Sequence, residues 1–219
     1  MRIALEFEKK DAAKYISHLD LQRAFSRAIR RSGLPVALTK GFNPHYTVSF
    51  ASALALGIES ECECAEMAVE CDIDPGRFLE AMKASLPPGL YAKRALKLKD
   101  NAPKLAASVS EAEYRVMISE NSDAIKRAAC DIIDSEHIII DKDGKHIDIR
   151  HNIFDLGVSE GCLVMRLAAA PSGSLRPDIV IGELKKLTGD FSCDIVRTGL
   201  FTRVDGKTIG LLAAFSDVN

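Results

Sequence analysis

The sequence predicts an α+β fold of two tandem ferredoxin-like units, each a β-α-β-β-α-β run whose antiparallel sheet carries both helices on one face. Three observations predict it. Strand-like alternation and helix-like spacing of apolar residues take turns along both halves of the chain. A polar, small-residue stretch, DNAPKLAASVS (100–110), separates the halves and reads as a linker. The order of elements then repeats, although the letters do not. Two right-handed crossovers within such an order dictate a four-stranded arrangement, with a single fused sheet as the alternative. The expected domains are 1–100 and 110–219.

In the first half, RIALEFE (2–8) alternates as a strand does, and residues 17–32 follow with Leu21, Phe25, Ala28 and Ile29 on one helical face. Ser17 with Asp20 three residues later is a near capping box, and Gly33 is placed to end the helix. PVALT (35–39) reads as a strand, GFNPH (41–45) interrupts it, and YTVSFA (46–51) either continues it or begins another. CECAEMAVEC (62–71) is a further strand. Asp74-Pro75 opens a helix that turns Phe78, Leu79 and Met82 inward and stops at Pro87-Pro88-Gly89, before the strand LYAKRALKLK (90–99).

In the second half, AEYRVMIS (112–119) is a strand and 121–135 a helix with Ile125, Ala129, Ile132 and Ile133 inward. EHIIID (136–141) and HIDIRHNI (146–153) flank Asp143-Gly144, a dipeptide that favours a type I′ hairpin. CLVMRLAAA (162–170) follows, then a helix opened by Arg176-Pro177 with Ile179, Val180, Leu184 and Leu187. A terminal hairpin of 193–204 and 207–215 turns at Asp205-Gly206. This half matches the first with an extra strand or two.

Composition narrows the function. With 219 residues, 47% of them hydrophobic and 27% charged, the chain has the material for an ordinary folded core. No run approaches the roughly 18 apolar residues of a membrane span, and MRIALEFEKK alternates where a signal peptide would be uniformly apolar, so a cytoplasmic location is expected. Cys62, Cys64, Cys71, Cys130, Cys162 and Cys193 lie scattered through strands and helices, which predicts reduced thiols. Cys62 and Cys64 share a strand face, but no CxxC supplies further ligands, and no metal site is expected. There is no Gly-rich phosphate loop, GxSxG or HExxH, and no cofactor is expected. A net charge of −2 argues against indiscriminate coating of nucleic acid, so contact with an anion has to come from a local patch.

One patch stands out. Arg23, Arg27, Arg30 and Arg31 fall on a stripe opposite the Leu21, Phe25 and Ile29 face, with no Asp or Glu among residues 23–31. Guanidinium groups pair with phosphates in bidentate fashion, so such a stripe is suited to a nucleic-acid backbone; a solvated face paired with acids elsewhere is the structural alternative. Beside it, Gly41 permits positive φ and Pro44 restricts Asn43, which aims Asn43 and His45 in set directions. His18 stands in the first turn of the arginine helix. These histidines and Asn43 read either as binding groups or as packing and turn residues, with acid/base catalysis by His18 and His45 as the rival function. Arg197 and Arg203, six apart in a C-terminal strand, either extend a basic surface or are ordinary exposed residues.

Residues 15–60 resemble the opening signature of the radical SAM-linked protein family. The pattern is Ser17-His18-Leu19-Asp20, Arg30-Arg31, Gly41-Phe42-Asn43-Pro44-His45, Leu56-Gly57 and Ser60, and RPDIV and VRTGLF are similar to the family's C-terminal part. Tyr46 departs from it, standing where the family often has Pro. The resemblance implies a radical SAM protein as functional neighbour and implies no reaction. The chain lacks the CxxxCxxC of that enzyme class. The reading is therefore an accessory module that binds RNA or another anionic substrate through His18, Arg23, Arg27, Arg30, Arg31, Gly41, Asn43, His45, Arg197 and Arg203. An RNA-modifying or RNA-cleaving enzyme, or a protein-protein adaptor, is the alternative.

Overall fold

The computed structural model describes residues 1–118 and 122–216, in a mixed α+β fold with mostly antiparallel strands and, among those residues, six helices. Ser119 and Asn121, expected to end a strand and open a helix, lie outside the described residues. The chain divides into two compact units, Met1–Val109 with Leu200–Asn219, and Ser110–Gly199. The sequence places everything after 110 in the second unit; in the structure the last residues cluster with the first.

In the first unit β1 (Arg2–Lys9) is a central strand, and its Ile3, Leu5 and Phe7 are fully buried. Helix α1 (His18–Ser32) follows, then β2 (Val48–Phe50), β3 (Glu59–Ala68), α2 (Pro75–Ser85), β4 (Leu90–Leu98) and the single turn α3 (Leu105–Ser108). Strand β1 pairs antiparallel with β3 and β4, and β2 pairs antiparallel with β3, so the order is β2-β3-β1-β4. Residues 35–39 do not form the expected strand. Pro35 has no N–H to give a ladder, and the turn at 41–45 follows too closely, so only single bridges from Val36 to Val69 and Leu38 to Tyr46 remain.

Local chemistry sets the helix ends. The Ser17 hydroxyl accepts from the Asp20 N–H, and Gly33 closes α1 at φ +66°. The Asp74 carboxylate accepts from the Arg77 N–H at 2.8 Å, with Pro75 in the first turn of α2. Helix α1 buries Leu21, Phe25, Ala28 and Ile29, and the Phe25 ring lies 4.9 Å from that of Phe7 and 5.1 Å from that of Phe50. Full burial of one such side chain is worth about 1.5–3 kcal/mol. Helix α2 adds Phe78 and Met82; Leu79 is only partly buried.

The expected linker 100–110 is not a free tether. Leu105 and Val109 are buried, the Leu105 N–H donates to Glu66 at 3.0 Å, and Glu66 also pairs with Arg2 at 2.9 Å. Two apolar side chains inside a polar stretch suffice to fasten it.

The second unit contains β5 (Glu111–Ile118), α4 (Ser122–Asp134), β6 (Ile139–Lys142), β7 (Lys145–Asp148), β8 (Ile153–Ser159), β9 (Cys162–Ala170), β10 (Gly173–Ser174), α5 (Pro177–Thr188) and residues 193–199 of β11 (Cys193–Val204). Its order is β8-β9-β5-β11, with β10 also on β9 and β6-β7 a separate hairpin. Residues 146–153, expected as one strand, break after Asp148. The Asp148 carboxylate accepts from the N–H groups of Ile138 and Arg150, and the Arg150 guanidinium donates to the carbonyls of Ile133, Ser135 and Ile153. Arg150 thus satisfies carbonyls at the end of α4 while the chain turns into β8. Asp143-Gly144 has positive φ at both residues, as do Glu160-Gly161 and Asp205-Gly206, so three hairpins use mirror-type turns. In α5, Ile181 is buried and Leu187 is exposed, the latter lying about 70° off the centre of the buried face. Ala128 likewise joins the buried face of α4, where Ile133 is partly exposed.

Residues 201–204 of β11 pair with β12 (Lys207–Gly210) in the first unit, and α6 (Ala213–Ser216) replaces the expected end of that strand. Burial along β11 changes parity between Arg197 and Leu200. Arg197 and Arg203 therefore do not share an environment: Arg197 is 1% exposed and contributes to no surface, which corrects its place in the binding set, while Arg203 is exposed.

Two predictions follow from these contacts. Gly89 has φ +84°, and a Cβ there would lie 2.8 Å from both the Ala13 side chain and the Lys10 carbonyl. Gly89→Ala is expected to lower stability by about 2 kcal/mol or more, read from the urea midpoint. Asp148 is held down from 3.8 to about 2, first by His137 at 2.6 Å and then by the two N–H groups. A depressed carboxylate stabilises the fold above its unfolded value and loses that contribution as pH falls through about 2. Asp148→Asn is expected to flatten the acid limb of a stability-against-pH curve for the second unit.

Candidate functional site

The exposed face of α1 forms one wall of an open cleft of about 440 Å³ in the first unit. Leu19, Gln22, Arg23, Ser26, Arg27 and Arg30 recur every three or four residues along that wall. Burial of Leu21, Phe25, Ala28 and Ile29 against the sheet leaves them no other direction. The opposite wall is His45, Tyr46 and Val48, where the chain comes out of the GFNPH turn into β2. The structure thus brings the arginine helix and the loop histidine to one place.

The loop is held at its base. The Thr39 N–H donates to the His45 carbonyl at 2.8 Å and the Thr47 N–H to the Ala37 carbonyl at 2.9 Å. The Thr39 hydroxyl accepts from the His45 N–H at 3.1 Å. His45 Nδ1 lies 3.1 Å from that hydroxyl and 3.3 Å from the Asn43 carbonyl. Gly41 takes φ +143°, a conformation that disfavours any side chain. Lys40, Phe42 and Asn43 are exposed at the tip, Phe42 fully so.

The four arginines have separate fates. Arg23 pairs with Asp20 at 2.9 Å; the Ser17 hydroxyl and then Arg23 hold that carboxylate below its ordinary range. Arg31 reaches across to the Ser85 carbonyl at 2.5 Å, at the end of α2, and lines neither cleft of this unit. Arg27 and Arg30 have no acidic partner among the described residues. The cationic part of the cleft is therefore Arg27 and Arg30, with Arg23 half-neutralised at one end.

His18 is not on the cleft wall. Its ring packs edge-on to Phe50 at 5.4 Å, and the Gln22 amide nitrogen lies 3.4 Å from its Nε2. His18 and His45 therefore do not share one pocket as an acid/base pair would. Cys62 and Cys64 are both buried, and the Cys64 thiol donates to the Cys62 carbonyl. No cluster of three or more His, Cys, Asp or Glu suited to a metal ion occurs among the described residues. Arg203 lines neither cleft.

Sequence reasoning passed over Leu19, Gln22, Ser26 and Tyr46, whose placement depends on how 36–48 folds back beside α1. It also missed a second cleft of about 450 Å³ on the other flank of α1. Its floor is apolar, from Ala13, Ile16, Ala24, Pro87, Pro88 and Leu90, and Asp20, Arg23 and Arg27 edge it. Arg23 and Arg27 so form a ridge between two clefts. The only signal in the sequence was Pro87-Pro88, which reads first as a helix stop.

Residues 2–177 match the model of a protein family described as an uncharacterised protein conserved in bacteria, DUF2344. No curated protein matches the chain. Among solved structures, a crystal structure of an unknown protein from Galdieria sulphuraria is similar at 14% identity and a TM-score of 0.28, over 90% of this chain and 97% of that one. No helix is long and apolar enough to cross a membrane among the described residues.

The arginines separate by their contacts, and substitution should separate them too. Arg31→Ala is expected to cost about 1 kcal/mol through the lost bond to the α2 terminus. Arg27→Ala and Arg30→Ala should stay within about 0.5 kcal/mol of the parent protein, as exposed unpaired side chains do. Thermal unfolding of the three variants checks the difference.

Proposed function

Because the chain belongs to the DUF2344 family, whose description carries no activity, we propose a function from the geometry of the first unit: it is a binding module that holds RNA or another polyanion in the cleft between α1 and the 40–46 loop. One observation carries the reading. Arg27 and Arg30 stand on the cleft wall with no acidic partner among the described residues, on a protein whose net charge is −2. A solvated structural face would have no reason to collect its unpaired cations along a concavity. Arg23 to Arg30 spans roughly 10 Å of helix, room for more than one phosphate. His45 and Tyr46 on the facing wall provide an imidazole and a ring with a hydroxyl for the groups a backbone carries.

The strand orders β2-β3-β1-β4 and β8-β9-β5-β11 support reading both units as ferredoxin-like. RNA-binding proteins often use four-stranded plaits of that kind, which is an analogy of fold. Here the cationic wall is helical, so binding would not be the sheet-face stacking common in those proteins. A radical SAM protein as the partner that acts on the bound molecule rests on the resemblance of residues 15–60 to that linked family. Catalysis by His18 and His45 draws no support from their separate positions.

Fluorescence anisotropy with labelled structured RNA across a salt series tests the reading. Wild type is expected to bind with a steep salt dependence. Arg27→Glu/Arg30→Glu should weaken binding and lower the log-log salt slope by about 1.5–2, the loss of two phosphate contacts. Absence of binding by wild type at low salt would remove the proposal.

A further inference from the structure

We infer that the bound polyanion is single-stranded, and that Phe42 stacks on one of its unpaired bases while Arg27 and Arg30 hold the adjoining backbone. The inference rests on the reading that this cleft binds RNA, and it names the form of RNA.

Phe42 has no role in the fold. Phe7, Phe25, Phe50 and Phe78 are buried in the core of the same unit, whereas Phe42 is 107% exposed. It stands three residues before His45, which lines the cleft, on the same turn. The turn that carries it is restrained. The ring of Pro44 fixes the backbone on one side, and the Thr39 bonds to His45 close the base. A ring on such a turn is offered to a partner at small cost in loop entropy.

The neighbouring side chains specify what it is offered to. Lys40, Phe42 and Asn43 are all exposed on one short tip. A cation for phosphate, a flat apolar face, and an amide that both donates and accepts are the three chemistries an unpaired nucleotide presents in its backbone, base face and base edge. In an A-form duplex the base faces are already stacked and the major groove is too narrow for a side chain to enter, so Phe42 would meet ribose, phosphate and minor-groove base edges there but no open base face. The aromatic tip therefore favours single-stranded over paired RNA, and the arginines alone do not.

Anisotropy with a short fluorescein-labelled single-stranded RNA of mixed sequence, and with the same strand annealed to its complement, tests this. Wild type, Phe42→Ala, Phe42→Trp and Arg27→Glu/Arg30→Glu are compared, with thermal unfolding to verify that each is folded. The expected result is tighter binding of the single strand than of the duplex. Phe42→Ala should lose about tenfold on the single strand and little on the duplex, with an unchanged salt slope, and Phe42→Trp should restore the affinity. If Phe42→Ala binds both RNAs as wild type does while the arginine double variant loses both, the inference is overturned and the polyanion reading stands. If Phe42→Ala leaves RNA affinity intact and abolishes association with a radical SAM protein, Phe42 is a protein anchor and the inference is equally overturned. If wild type binds neither RNA, both fall.

Discussion

The packing of Phe25 between Phe7 and Phe50 is the contact on which the rest of the first unit depends. It joins α1 to β1 and β2 at once, with ring separations of 4.9 and 5.1 Å, and a third edge contact from His18 onto Phe50 closes the group. Once that face of α1 is committed to the core, helical geometry leaves the opposite face only solvent. The side of α1 on which the arginines stand is therefore set by hydrophobic burial. Phe50 also ends the segment that carries His45 and Tyr46, so the same cluster that orients the helix sets the far wall of the cleft.

Electrostatics then sorts side chains of one type into different work. Asp20 is occupied by Ser17 and Arg23, the Ser85 carbonyl by Arg31, and the two arginines between them have no acidic partner among the described residues. None of these pairs is buried deeply, and exposed pairs contribute little to stability. Their effect is positional. By taking up Arg23 and Arg31 they concentrate the available positive charge on one turn of α1. Elsewhere the fold does use polar groups structurally: Glu66 joins Arg2 to the start of α3, and Arg150 closes α4 onto β8.

The sequence was most informative where a rule of spacing or a special backbone residue was at work. Leu21, Phe25 and Ile29 declare the buried face of α1 by period alone, Ser17 and Gly33 declare its ends, and Asp143-Gly144 and Asp205-Gly206 declare their turns. Legibility failed where the outcome depends on distant residues. Nothing near Arg197 in the chain indicates that it is buried, because parity along β11 changes just beyond it. The break after Asp148 depends on carbonyls some fifteen residues earlier, and the packing of Leu105 on a carboxylate from another strand. At the site, the arginines and His45 were readable singly. Their meeting in one cleft, the absence of His18 from it and the exposure of Phe42 all depend on how 36–48 folds back.

The ridge formed by Arg23 and Arg27 has a consequence for how this surface responds to more than one visitor. Each guanidinium borders one cleft on either flank of α1. A side chain drawn fully toward one flank is withdrawn from the other, so the two clefts compete for the same cations. Occupants of opposite flanks would then antagonise one another through a pair of arginine rotamers, with the helix backbone standing still.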